Sequence, residues 1–112
     1  MVMKMADSST KHDVFQAIAD PTRRELLSLL SEKEMPVTAI TSHFTMSRTG
    51  VSKHLRILEE AGLVYENKVG RETRYKLRPE GLKELKQWLA YYERFWENKL
   101  SALKGFVESD KT

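Results

Sequence analysis

Ser47-Arg48-Thr49-Gly50-Val51-Ser52-Lys53-His54-Leu55-Arg56-Ile57-Leu58-Glu59-Glu60-Ala61-Gly62 reads as one amphipathic helix with both ends marked. The Ser47 hydroxyl can accept from first-turn amides, so it is the expected N-cap. Gly62 tolerates the backbone that stops helices, so the helix is expected to reach Ala61. At ~100° per residue, Arg48, Thr49, Ser52, Lys53 and Arg56 fall within an arc of roughly 140°. Val51, Leu55 and Leu58 gather on the opposite side, with Ile57 and Ala61 at its margin. One side packs and the other offers hydrogen-bond donors. Arg and Lys can reach O6 and N7 of guanine in the major groove, and Ser and Thr can contact bases or phosphates. An ordinary surface helix would give the same wheel, so the flanking sequence has to decide. His54 falls on the packing side, flanked by Val51 and Leu58, and reads as structural, hydrogen-bonded to backbone. Gly50 gives up ~1 kcal/mol of helix propensity relative to Ala and is expected to permit close approach to the preceding helix.

That preceding helix follows Met35-Pro36, with Val37, Ile40 and Phe44 spaced three and four apart. Thr45-Met46 is the expected tight link, and two helices so joined make a helix-turn-helix. Further upstream, a helix near Asp13 to Ala19 has Val14, Phe15 and Ile18 on its apolar side. Asp20-Pro21 restarts the chain, with Asp20 as N-cap and Pro21 in the first helical position. The next helix carries Leu26, Leu27, Leu29 and Leu30 and is expected to end near Ser31. Arg23 and Arg24 stand in its first turn, where the helix dipole disfavours cations, which points to a partner such as a phosphate or an acidic side chain.

Downstream come two strand-like runs, Leu63–Val69 and Thr73–Leu77, joined at Gly70-Arg71-Glu72. In the second, Thr73, Tyr75 and Leu77 alternate with Arg74, Lys76 and Arg78, the pattern of a half-buried strand with one basic face. Pro79 ends it. A long helix is then expected over residues 80–108. Its apolar residues Leu85, Leu89, Tyr92, Trp96 and Leu103 form one line, and Trp88 and Phe95 a second. Some 28 residues would span about 42 Å, too long an apolar face for one small domain to cover, so a seam between two copies is expected.

The bulk properties agree. The chain has 112 residues, 40% of them hydrophobic, which suits one compact domain. It contains no cysteine, so disulfides, thiolate nucleophiles and Cys-based metal sites are excluded. Its net charge of +3 is unevenly spread: residues 47–78 carry eight Lys/Arg against four Asp/Glu, while the segments before and after are nearly balanced. A localised basic excess is the electrostatic footprint of nucleic-acid binding. No apolar run of ~18 residues is present, so no membrane span is expected. Nor does Met1 to Lys11 have the apolar stretch of a secretory leader; a mobile tail over 1–11 and a cytoplasmic location are expected. No Gly-rich phosphate loop and no paired His-carboxylate site suggests an enzyme.

The stretch Ser47 to Leu58, followed by Glu60-Ala61-Gly62-Leu63-Val64, resembles the ArsR-type winged-helix repressors. Ala19-Asp20-Pro21-Thr22-Arg23-Arg24 and Gly70-Arg71 with Tyr75 and Leu77 add to the likeness, which runs in register over roughly residues 12–80. The resemblance implies a mainly α fold with a small β-hairpin wing: a winged helix-turn-helix over 12–79, a dimerisation helix over 80–108 and a tail over 109–112. It implies a sequence-specific repressor that binds a palindromic operator in double-stranded DNA as a homodimer, released by a small-molecule effector of unknown identity. The DNA-binding residues implied are Ser47, Arg48, Thr49, Ser52, Lys53 and Arg56 in the helix and Arg71 and Arg74 in the wing. Dimerisation through the terminal helices would use Val14, Phe15, Leu85, Trp88, Leu89, Tyr92, Phe95, Trp96 and Leu103. Metal-sensing members often carry Cys in the third helix, yet Met35 to Phe44 has none, and the last helix contains no His. No metal and no cofactor is therefore expected. The competing function is a winged-helix protein–protein module that never touches DNA, which would have no need of so many exposed cations.

Overall fold

A computed structural model describes residues 12–110, with side chains for all but 98–103, 106 and 108–110. The tail expected over 1–11 lies outside the described residues, as do residues 111–112. Among the described residues five α-helices and a three-stranded antiparallel sheet follow in order: α1 (Val14–Ala17), α2 (Pro21–Glu32), β1 (Met35–Pro36), α3 (Val37–Thr41), α4 (Arg48–Glu60), β2 (Val64–Val69), β3 (Glu72–Leu77), a 3-10 turn (Pro79–Leu82) and α5 (Lys83–Asp110).

The caps explain the starts. Asp13 and Gln16 form a capping box at α1, Asp13 Oδ1 accepting from the Gln16 amide at 2.7 Å. Asp20 Oδ2 accepts from the Arg23 amide at 3.0 Å, with Pro21 at the head of α2. Ser47 Oγ accepts from the Gly50 amide at 3.1 Å. The helix α1 is shorter than expected, because Ile18 and Ala19 turn away into the Asp20 cap. Phe44 stands in the turn between α3 and α4 rather than on α3, and the link runs over residues 42–46. Gly50 also has another neighbour than expected. A Cβ there would meet Met46 Sδ at 3.4 Å and Ser47 Oγ at 3.6 Å, so the glycine faces its own turn and not α3.

Leu26 and Leu30 of α2, Ile40 of α3, and Val51, Leu55 and Leu58 of α4 close a core with Leu63, Val64 and Tyr75. Each such leucine contributes about 1.5–3 kcal/mol on full burial. The sheet order is β1-β3-β2. β2 and β3 form the expected hairpin, Val64 opposite Leu77 and Val69 opposite Glu72. Its loop is Gly70-Arg71, in which Gly70 alone takes a positive φ (62°), as a two-residue turn with glycine first requires. Strand β1 is new relative to the sequence reading. Met35 and Pro36 pair with Tyr75 and Arg74. Two residues show no periodicity, and Pro36, lacking an N–H, suits an edge strand.

The sheet leads into α5 through a tight contact. The Arg78 amide donates to the Leu63 carbonyl at 2.8 Å, and a Cβ at Gly81 would stand 2.0 Å from the Gly62 carbonyl oxygen. Two backbones therefore meet at Gly81, a close approach that fixes where α5 begins. Leu82 and Leu85 rest on the core, Phe15 of α1 meets Trp88 edge-on with centroids 5.4 Å apart, and α5 runs on to Asp110, two residues beyond the expected end. No helix among the described residues is long and apolar enough to cross a membrane.

Candidate nucleic-acid interface

The sequence of α4 separates its two faces as the wheel requires. Val51, Leu55 and Leu58 are fully buried, whereas Arg48, Thr49, Lys53 and Arg56 are exposed and Ser52 is half-buried beside them. Ser47 is exposed, with one lone pair committed to its cap. Among the described residues no carboxylate pairs with Arg48, Lys53, Arg56 or Arg71. An unpaired cation on a surface keeps its full attraction for an anion, falling off over about 8–10 Å at physiological salt. Arg48, at the head of α4, and Arg71, in the hairpin turn, line one open slot of about 270 Å³ with Thr38, Thr73, Pro36, Val37 and Glu72. The helix head and the hairpin tip thus face the same space.

Arg74 does not join them. Its Nε donates to Glu34 Oε2 at 2.9 Å and its Nη1 to Glu72 Oε1 at 2.7 Å. Those two hydrogen bonds, the one to Glu72 first and the one to Glu34 second, raise its already high pKa. The guanidinium is spent on holding β3 to the segment before β1, so the alternation that grouped Arg74 with Lys76 and Arg78 located the face correctly but not the availability of the charge. Lys76 and Arg78 are the exposed cations of that face. Glu34 lies 40 positions upstream of Arg74, and nothing in the local pattern pairs them.

Arg23 and His54 carry another correction. The partner of Arg23 is neither a phosphate nor an acid. Its Nε donates to the Ala17 carbonyl at 2.7 Å, its Nη2 to the Gln16 carbonyl at 3.2 Å, and its Nη1 to His54 Nδ1 at 3.1 Å. His54 is therefore structural, as expected, but bonded to a side chain and not to backbone. Arg24 does the same for the Ile18 carbonyl at 2.7 Å. Both arginines donate to backbone carbonyls around the end of α1. Asp20 Oδ2 stands 4.0 Å from His54 Nδ1. Partial burial pushes the Asp20 carboxyl up, but the Arg23 amide, the neighbouring His54 and Arg23 side chains and the Thr22 amide together hold it below its usual value. Toward the other end of α4, burial and then the facing Glu66 push the Glu59 carboxyl up.

Along α5 the aromatic side chains stay in water. Trp88, Tyr91, Tyr92, Phe95 and Trp96 are all substantially exposed, Trp96 at 53%. Trp88 leans edge to face on Tyr92 at 5.2 Å, as does Tyr91 at 4.9 Å. Arg94 lies over Tyr91 at 4.5 Å. Tyr91 was absent from the expected apolar lines, although its place one residue before Tyr92 puts it on their margin. Leu85, Leu89 and Phe15 are half-buried. Val14 is only 3% exposed and belongs to the domain's own core, so it has no surface to give a partner. The Leu103 side chain lies outside the described residues. Among the described residues no three His, Asp or Glu side chains come together as a metal site would need.

Residues 20–66 match the profile of a family described as bacterial regulatory proteins of the arsR family. The transcriptional repressor SdpR of Bacillus subtilis is 34% identical over 89 residues, which cover 80% of this chain and 99% of that protein. Among solved structures, an ArsR-like transcriptional regulator from Rhodococcus sp. RHA1 superposes with a TM-score of 0.69 at 32% identity over 97% of both chains. A homodimeric winged helix-turn-helix DNA-binding domain from Mycobacterium bovis gives a TM-score of 0.60 at 29% identity, covering 80% of this chain and 84% of that one.

Proposed function

The chain belongs to the arsR family of bacterial regulatory proteins, and from that premise we propose that it represses transcription by binding a palindromic operator as a homodimer. It is a DNA-binding regulator with a winged helix-turn-helix, and the reading concerns how it binds. Helix α4 enters the major groove with its cationic face. Arg48, Thr49, Ser52 and Lys53 read base edges, and Arg56 with the Ser47 hydroxyl holds the backbone. Arg71 follows the adjacent backbone from the hairpin, and a phosphate fits the slot it shares with Arg48. Arg74 supports the hairpin from behind. The observation that carries this reading is the face of α4 itself: three cations exposed without carboxylate partners among the described residues, directly opposite three fully buried apolar side chains.

Two copies meet through the aromatic face of α5, which doubles the contacts and places two recognition helices about 34–36 Å apart, one turn of duplex. A regulator that must reach the chromosome works in the cytoplasm. Release of the operator by a small effector is part of the same reading; a cleft of about 500 Å³ lined by Leu29, Met35 and His43, among others, has room for one. The test is selection of bound sequences from random duplex DNA, then titration of the selected duplex at two salt concentrations. A palindrome bound with affinity that falls steeply as salt rises is expected, because neutralised phosphates release counterions. Failure to enrich any sequence, or affinity indifferent to salt, refutes the reading and favours a protein–protein module.

A further inference from the structure

We propose that Arg23 is a positioning residue for DNA recognition: through His54 it ties α4 to α1, the helix that leans on α5, and so fixes the spacing of the two recognition helices in a dimer. The proposal rests on the reading that two copies bind one duplex. Arg23 spans three elements at once. It grows from the first turn of α2, satisfies the Gln16 and Ala17 carbonyls of α1, and reaches His54 near the middle of α4. Arginine has no acceptor, so in this contact His54 Nδ1 must accept and its proton must sit on Nε2. On its other side α1 presents Phe15 edge-on to Trp88 of α5 at 5.4 Å. A second tie runs from the segment just before α1, His12 Nδ1 lying 3.2 Å from Glu60 Oε1 at the end of α4. The result is a continuous route from the aromatic face of α5 to the cationic face of α4.

The route matters because the apolar contacts that hold most of α4 are not directional. Val51, Leu55 and Leu58 bury apolar surface, which resists separation but resists rotation weakly. A hydrogen bond between a planar guanidinium and an imidazole nitrogen fixes direction. Helix α4 has 13 residues, about 20 Å at 1.5 Å each, so a tilt of about 10° moves one end by about 3 Å, close to the ~3.4 Å rise of one base pair. An unanchored α4 would still bind a half-site, but the dimer would tolerate half-sites one base pair too close or too far apart.

The experiment compares affinities of the whole protein for the duplex that wild type selects and for duplexes with one base pair added to or removed from its centre. The ratio of these affinities does not depend on how much of a variant is folded. Wild type is expected to prefer its own spacing about tenfold; Arg23→Met and His54→Leu should reduce the preference to about twofold, and His54→Asn, whose amide oxygen can accept where Nδ1 does, should restore most of it. The double variant Arg23→Met/His54→Leu should be no more permissive than Arg23→Met alone. An unchanged spacing ratio in both single variants overturns the positioning role while leaving the repressor reading intact. A wild-type protein that binds duplex with no spacing preference overturns both.

Discussion

Replacing Trp96 by Glu should separate association from folding. Trp96 leaves 53% of its surface in water, and since a tryptophan can bury up to about 250 Å², about 130 Å² remains for a partner to cover. At about 25 cal/mol per Å² this is about 3 kcal/mol for each copy, or about 6 kcal/mol across a two-fold seam that uses both. The carboxylate adds the cost of burying a charge without a partner. Even half the area term raises the dimer Kd about a hundredfold, since each 1.4 kcal/mol is about a factor of ten. Trp96 is not among the residues that pack on the core, so helical content by circular dichroism should be unchanged. Sedimentation at micromolar concentration should show wild type as a dimer and Trp96→Glu as a monomer, with operator affinity lowered by orders of magnitude. A Trp96→Glu protein that still sediments as a dimer would place the seam elsewhere. A folded monomer that binds the full palindrome as tightly as wild type would refute the link between dimerisation and recognition.

Gly81→Ala forces a Cβ to within 2.0 Å of the Gly62 carbonyl oxygen and should lower stability by about 1–3 kcal/mol, as overpacking does. Gly105→Ala, on α5 with nothing within 4 Å, should instead gain up to ~1 kcal/mol of helix propensity; denaturant midpoints of the two variants should move in opposite directions. The Asp20 carboxyl is held below its ordinary value of 3.8, so in folded protein it stays ionised where the unfolded chain is already taking up a proton. Its contribution is present above that value and is lost as pH falls through the lower folded one. Between pH values of about 5 and 3, Asp20→Asn should therefore lose less stability than wild type, measured by thermal unfolding. Arg71→Ala should reduce the slope of log affinity against log salt by about one. Arg74→Ala should leave that slope unchanged and lower the Tm, because its charge holds Glu34 and Glu72.

What the sequence made legible was whatever repeats or is capped locally. The periods of α2, α4 and β3, the caps Asp20 and Ser47 and the turn at Gly70 all rest on neighbours within four residues, and local pattern finds them. The aromatic face of α5 followed from length and period together. The rest depends on contacts between distant segments. β1 exists because Met35 and Pro36 lie beside Tyr75 and Arg74. Arg74 is neutralised by Glu34, and Arg23 finds carbonyls and an imidazole rather than an anion. Val14 turns inward because α1 is pinned between α4 and α5, although its residue type fits an interface equally well. Charge read along a strand counts cations but cannot say which of them another element has already engaged.

The central claim is that α4 reads base edges, and comparing base preferences tests it most directly. Affinities of wild type, Arg48→Ala and Lys53→Ala are measured on the selected duplex and on duplexes carrying each single base substitution in one half-site. Each alanine variant should bind the selected duplex more weakly and lose about 1–3 kcal/mol of discrimination at one or two positions, the worth of a bidentate contact, while keeping it at the others. If both variants retain the full wild-type preference at every position, the cationic face of α4 does not read sequence.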